Sequence, residues 1–148
     1  MTEAQGTACT EDQIRALIDV RVVAVQARDV DGALATIAPD ILSFDVVNPL
    51  HYGGSDASRK RTEEWFSSFE GPIGYEMRDL RITAGEEVAF AHSLNHYSGT
   101  KIDGGALDMW VCATVCFRKI DGTWLITHEH SSVPFDAASG RASLDLRP

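Results

Sequence analysis

Residues 107–134, LDMWVCATVCFRKIDGTWLITHEHSSVP, decide the fold. Two β-rich runs, 107–120 and 124–134, are joined by Asp121-Gly122, and Asp-Gly between such runs is a strong hairpin signal. In the first run Met109, Val111, Ala113, Val115 and Phe117 point one way and Trp110, Cys112, Thr114, Cys116 and Arg118 the other, because side chains alternate along a strand. Both faces of that strand are therefore largely apolar. The reading extends upstream to two more long runs, 73–84 and 88–100, separated by Ala84-Gly85-Glu86-Glu87 and Asp103-Gly104-Gly105. Long strands joined by short turns are antiparallel neighbours.

Ahead of these strands the period becomes helical. Thr10 opens a capping box with Gln13, and Ile14, Leu17, Ile18, Val22 and Val25 form an apolar stripe that predicts a helix ending near Arg28. A short helix follows over 30–38 with Asp29 as N-cap, before a break at Pro39-Asp40 and a strand over 41–47. The turn-rich NPLHYGG at 48–54 precedes a third helix, capped by Ser55, with its stripe at Thr62, Trp65, Phe66 and Phe69, stopped at Gly71-Pro72. The order α-α-β-α-β-β-β-β predicts an α+β domain with helices on one face of an antiparallel sheet. Those helices suffice for one face. The other apolar face calls for a partner, and a homodimer packed through sheet faces is the economical source.

Composition bounds the function. The chain has 148 residues, with 22 acidic against 13 basic side chains for a net charge of −9. The only basic cluster, Arg59-Lys60-Arg61, is flanked by Glu63 and Glu64 and reads as a solvated helix face, so binding to nucleic acid is not expected. No run of 18 apolar residues predicts a membrane span, and the opening MTEAQGTACTED has neither the charged nor the apolar region of a secretory signal. A cytoplasmic address is expected, with one domain over 1–148, its core at about 10–136 and flexible tails. The three cysteines agree. Cys112 and Cys116 stand about 13 Å apart along one strand, beyond the roughly 7 Å limit of a disulfide.

Three groups of residues carry candidate chemistry. Arg21 falls near the middle of the first helix's apolar stripe, where a guanidinium must meet a carboxylate, backbone carbonyls or a ligand. A structural tie between Arg21 and an aspartate competes with ligand contact. His92 and His96, and again His128 and His130, sit at even spacing and so share a face within each pair, the second pair ending the apolar row Trp124, Ile126. They suggest a polar patch in an apolar pocket. Metal binding by His128-x-His130 would need a third ligand from His92, Asp45 or Asp108, to which no spacing points, so neither metal nor cofactor is expected. Asp45 is the third candidate, although alternation alone places Leu42, Phe44 and Val46 in the core and Asp45 in solvent.

A capped helix, a short helix, IAPDILSFDVVNPLHYGG, a Trp-Phe helix and four strands ending in DGTWLITHEHSSVPFD resemble the SnoaL-like, ketosteroid-isomerase-like branch of the nuclear transport factor 2-like superfamily. The ending W-x-x-x-H-x-H-x-S is also similar to the association domain of calmodulin-dependent kinase II. The resemblance covers roughly 10–136 and implies a strongly bent sheet with three helices on its concave face, a cone with an apolar pocket, and a dimer. Setting Asp40 on the first Asp of the family's D-A-T-V-E-D-P stretch places Asp45 on the general base, facing the pocket. By the same register Arg21 stands where the family has its oxyanion-hole tyrosine, and the WVCATVCF strand lacks the partner aspartate. The resemblance thus implies a hydrophobic small-molecule ligand and proton transfer on a carbonyl compound, as in an isomerase, cyclase or hydratase, or else a non-catalytic binding or association module. The candidate catalytic set is Asp45, His130 and Arg21; Tyr52, Trp65, His92, Trp110 and His128 are candidate substrate contacts.

Overall fold

The computed structural model describes residues 2–148, with side chains from residue 9 onward. Three helices, α1 (Thr2–Gln26), α2 (Val30–Leu34) and α3 (Ser55–Ser67), accompany six strands: β1 (Ile37–Phe44), β2 (Tyr52–Gly53), β3 (Phe69–Ala84), β4 (Val88–Lys101), β5 (Ala106–Ile120) and β6 (Thr123–Ser132). One sheet runs β2-β1-β6-β5-β4-β3. This is the expected α+β class, with one change in topology. Neighbours are antiparallel except β1 and β6, which pair in parallel because the chain leaves β1 and returns beside it only after β2, α3 and three further strands.

Local chemistry explains most boundaries. Asp29 caps α2 by accepting the Gly32 amide at 3.0 Å. Asp121 and Gly122 both adopt positive φ, 51° and 82°, as the tight turn between β5 and β6 requires. Other boundaries correct the sequence expectation. Helix α1 begins at Thr2, so Thr10 lies inside it rather than at its cap, and α3 follows Gly54 without a side-chain cap from Ser55. Pro39-Asp40 lies inside β1, at the register shift between Ile37 and Leu42, where an interrupted ladder tolerates a residue with no amide proton. Gly71-Pro72 likewise falls at a register shift within β3.

The helical face of the sheet holds the core. Ile14 and Ile18 of α1 meet Ile37, Ile41, Phe117, Trp124 and Ile126, while Val25, Ala33, Phe66, Phe69, Ile73 and Tyr75 form a second cluster beside them. On β5 the alternation holds as read, with Val111, Ala113 and Phe117 buried and Cys112 exposed.

Irregularities in pairing shape the rest. Register shifts occur in β3 between Glu70 and Gly74 and between Arg78 and Arg81, where Asp79 takes φ 56°, and between β5 and β6 at Cys116/Phe117. Each adds local twist and bends the strand that carries it. The last has a second effect. Phe117 pairs with Ile126 but Cys116 pairs with His128, so Thr127 is the additional residue and the parity of β6 reverses there. Trp124 and Ile126 face the helices before the bulge; after it, Glu129 and Ser131 share the inner face with Val115 and Ala113.

No helix among the described residues covers the opposite face. There β4 and β5 align His92 with Thr114, Leu94 with Cys112 and His96 with Trp110, and β6 adds His128 and His130. Leu42 and Phe90 remain 40% and 45% exposed on it. Cys9, Cys112 and Cys116 are free thiols. No helix among the described residues is long and apolar enough to cross a membrane.

Candidate functional site

Between the helices and the sheet lies a cavity of about 370 Å³. Its apolar wall comes from Val25 of α1, Ala33 of α2, Trp65 and Phe66 of α3, and Leu107, Met109 and Val111 of β5. Trp65 is fixed by edge contacts to Phe69 and Tyr97, each with ring centroids 5.5 Å apart. The arrangement follows from the sequence: α3 turns its Trp65/Phe66 stripe inward, and the odd positions of β4 and β5 meet it.

Two ion pairs are set into this wall. Arg21 of α1 reaches Glu129 of β6 at 2.7 Å, with 23% and 24% of the two side chains exposed. Burial pulls the Arg21 guanidinium down, but the charge and hydrogen bond of Glu129 together with the nearby Tyr75 and Tyr97 more than offset it, so the cation is held above its ordinary range. Nη2 makes the bond to Glu129, whereas Nη1 is buried and has no hydrogen-bond partner among the described residues. Arg61 of α3 donates to Asp45 Oδ2 at 3.0 Å and lies over the Tyr52 ring, 4.9 Å from its centroid. The second oxygen of Asp45 accepts the Val46 amide at 2.7 Å.

Phenols complete the polar part. Tyr75 and Tyr97 stack with centroids 4.6 Å apart, and only Tyr97 lines the cavity. Asn95 donates to the Tyr75 hydroxyl at 3.3 Å and is itself held by Ser93, whose hydroxyl donates to the Asn95 carbonyl at 2.7 Å. Burial raises the pKa of Tyr52, Tyr75 and Tyr97 alike, so all three are neutral hydroxyls near pH 7. Ser43 contributes a further buried hydroxyl beside Tyr52. The cavity therefore offers donors and carboxylates to a ligand whose body is apolar.

Of the sequence candidates, Arg21, Asp45, Tyr52 and Trp65 come together around this cavity. The inverse of the simple alternation holds in β1, because Ile41 and Ser43 are buried at 1% and Leu42 faces out, which brings Asp45 inward. Arg21 and Asp45 do not pair with each other; each takes a different partner. His92, Trp110, His128 and His130 do not reach the cavity. The β6 bulge puts His128 and His130 on the helix-free face, and their pairing through β5 and β4 places His92 and Trp110 there too. On that face His96 stacks on Trp110 at 4.7 Å and donates to Asp108 at 2.6 Å, while His128 donates to the Leu42 carbonyl at 2.7 Å. Among the described residues no three His, Cys, Asp or Glu side chains are grouped to hold a metal ion.

Glu129, Arg61, Tyr97 and Lys101 also line the cavity, although none stood out in the sequence as a site residue. Arg61 belongs to the cluster read as solvated, yet it stands four residues before Trp65 and so on the same side of α3, the spacing that could have found it. Glu129 had no such signal, because only the bulge turns it inward.

Comparison with known proteins agrees with this architecture. The SnoaL-like domain model matches residues 14–136. An NTF2-like protein of unknown function from Pseudomonas putida is 33% identical and superposes with a TM-score of 0.88, over 96% of this chain and 99% of its own. A ketosteroid isomerase-like protein from Erwinia carotovora atroseptica (19% identity, TM-score 0.70, 82% and 93% coverage) shares the fold. So does the association domain of C. elegans CaMKII (14%, 0.67, 85% and 97%). No curated protein matches the sequence. On the span of the domain match and the identity to the Pseudomonas protein, the chain belongs to the SnoaL-like family.

Proposed function

We propose that the cavity binds a small hydrophobic carbonyl compound and moves a proton at the carbon beside its carbonyl, as an isomerase, cyclase or hydratase of the ketosteroid-isomerase-like type would. The observation that carries this is the unmet Nη1 proton of Arg21 beside an apolar-walled cavity that also holds carboxylates. An unsatisfied buried donor costs about 1–3 kcal/mol, and a ligand oxygen that meets the Arg21 edge recovers part of it. In this reading Asp45 removes the α-proton, the electron pair moves onto the carbonyl oxygen, and Arg21 with the Tyr97 hydroxyl stabilises the enolate. Asp45 then returns the proton to the same carbon or to a conjugate one. Glu129 keeps Arg21 in place, and Trp65 and Tyr52 bound the apolar body.

The helix-free face supports a second element, self-association as a homodimer. Leu42, Phe90, Leu94 and Trp110 leave an apolar surface there that no helix covers, and burial against a second copy would remove it from water. This face also supports the alternative in which assembly is the function and the cavity only binds. The free thiols suit a reducing, cytoplasmic setting.

The reaction is tested by following deuterium exchange beside the carbonyl of aryl ketones in D2O by NMR. The wild-type protein accelerates exchange, and Asp45→Asn lowers the rate about 10²–10⁴-fold, the usual worth of a general base. Exchange in Asp45→Asn as fast as in the wild type would refute Asp45 as the base. Ligand binding without exchange in the wild type would favour the non-catalytic alternative.

A further inference from the structure

The charges that line the cavity do not balance. Arg21 and Glu129 pair, Arg61 and Asp45 pair, and Lys101 is left over, so the lining carries one excess positive charge in a protein of net charge −9. Lys101 Nζ donates to Ser68 Oγ at 2.8 Å and stands 3.9 Å from the centre of the Phe69 ring. Among the described residues no carboxylate lies within ion-pair distance of it, although Asp103 in the following turn acts on it from further away. Partial burial lowers its pKa and the Asp103 charge opposes this. Position adds a second constraint. Tyr97 and Lys101 occupy the same face of β4 four residues apart, about 13 Å along the strand, with Leu107 and Met109 of β5 beside them. The donors at Arg21 and Tyr97 thus mark one end of an apolar slot and Lys101 the other.

We propose that the ligand is an oxo acid: a hydrophobic compound whose carbonyl meets Arg21 and Tyr97 and whose remote anionic group is held by Lys101. This rests on the carbonyl reading above and adds the second pole. The neutral Arg21–Glu129 pair suits an uncharged carbonyl oxygen, whereas a carboxylate placed there would face Glu129. At Lys101 an anion completes the unmatched charge. The competing role for Lys101 is structural, because Ser68 also donates to the Trp65 carbonyl at 2.6 Å and the lysine thereby sits at the C-terminal end of α3, where a cation is favourable.

The test uses δ-benzoylvaleric acid, its methyl ester and a plain aryl ketone, titrated calorimetrically into the wild type, Lys101→Met and Lys101→Arg at low salt, with a melting curve for each variant. The proposal expects the acid to bind about tenfold or more tightly than its ester in the wild type and Lys101→Arg. That ratio should fall to near one in Lys101→Met with ester affinity unchanged, and added salt should shrink it. If the ester and ketone bind but the acid holds no advantage, or keeps it in Lys101→Met, the second pole is overturned and the carbonyl reading stands. A lower melting temperature in Lys101→Met with an unchanged ratio would likewise assign Lys101 to α3 alone. Failure of all three compounds to bind would overturn both readings.

Discussion

Removing Glu129 tests the architecture of the cavity. Glu129→Leu leaves Arg21 without its carboxylate, while its Nη1 already lacks a partner among the described residues. Breaking a fully buried pair costs about 3–5 kcal/mol, an exposed pair about 0–1 kcal/mol. With 23% and 24% of the side chains exposed, this one falls between, at about 2–3 kcal/mol. A chain of 148 residues loses roughly 3 °C of melting temperature per kcal/mol, so the expected drop is about 6–9 °C. Arg21→Met should cost a similar amount, since it strands Glu129. The double variant Arg21→Met/Glu129→Leu, with no stranded charge and an apolar filling, should recover most of the loss. The assay is a double-mutant cycle by denaturant unfolding. Additive single effects, with a coupling energy near zero, would refute the claim that these two side chains depend on each other.

Three further outcomes follow from the same structure. Phe117, fully buried between α1 and the sheet, should cost about 3–5 kcal/mol on truncation to Ala, measured by the same unfolding curves; a cost under about 1 kcal/mol would contradict its place in the core. Because the folded pKa of all three tyrosines is raised, the stabilisation they carry is complete below pH 10, the ordinary phenol value, and is lost as pH rises above it through the higher folded values; phenolate absorbance should therefore appear together with unfolding, and smooth ionisation of a folded protein near pH 10 would contradict this. Asp108 is held below the ordinary carboxylate range by the His96 hydrogen bond and by Arg147 at 3.2 Å, so the anchorage of the C-terminal segment is present above that range and is lost as pH falls beneath it; limited proteolysis of residues 133–148 should accelerate there, and a pH-independent rate would exclude the tie.

How much of this was legible in the sequence depends on which interaction decides each feature. The four long strands were readable because their turns are local: Asp121-Gly122 adopts the left-handed conformation its residue types favour, and alternation on β5 matches its burial. Asp29 as a cap was readable for the same reason. The parallel pairing of β1 with β6 was not, since partners nearly ninety residues apart leave no trace in local periodicity. The site divides in the same way. Arg21 stood out as a charge on an apolar stripe, but its partner could not be read, because a single additional residue at Thr127 reverses the faces of everything after it. Strict alternation therefore assigned His128 and His130 to the pocket and left Glu129 outside, the inverse of what is found. Asp45 was placed inward by family resemblance where alternation alone gave the opposite answer, since Ser43 rather than Phe44 turns toward the core.

In the proposed reaction Arg21 receives the oxygen of a carbonyl ligand inside the cavity. The carbon-13 NMR shift of an aryl ketone labelled at its carbonyl, free and bound, reads that contact. Hydrogen bonding to a cation draws electron density from the carbonyl carbon. A downfield shift is expected on binding to the wild type, and it should shrink markedly, to the part the Tyr97 hydroxyl supplies, in Arg21→Met/Glu129→Gln, a variant with no stranded charge. A bound ketone with the same shift in both proteins would contradict it.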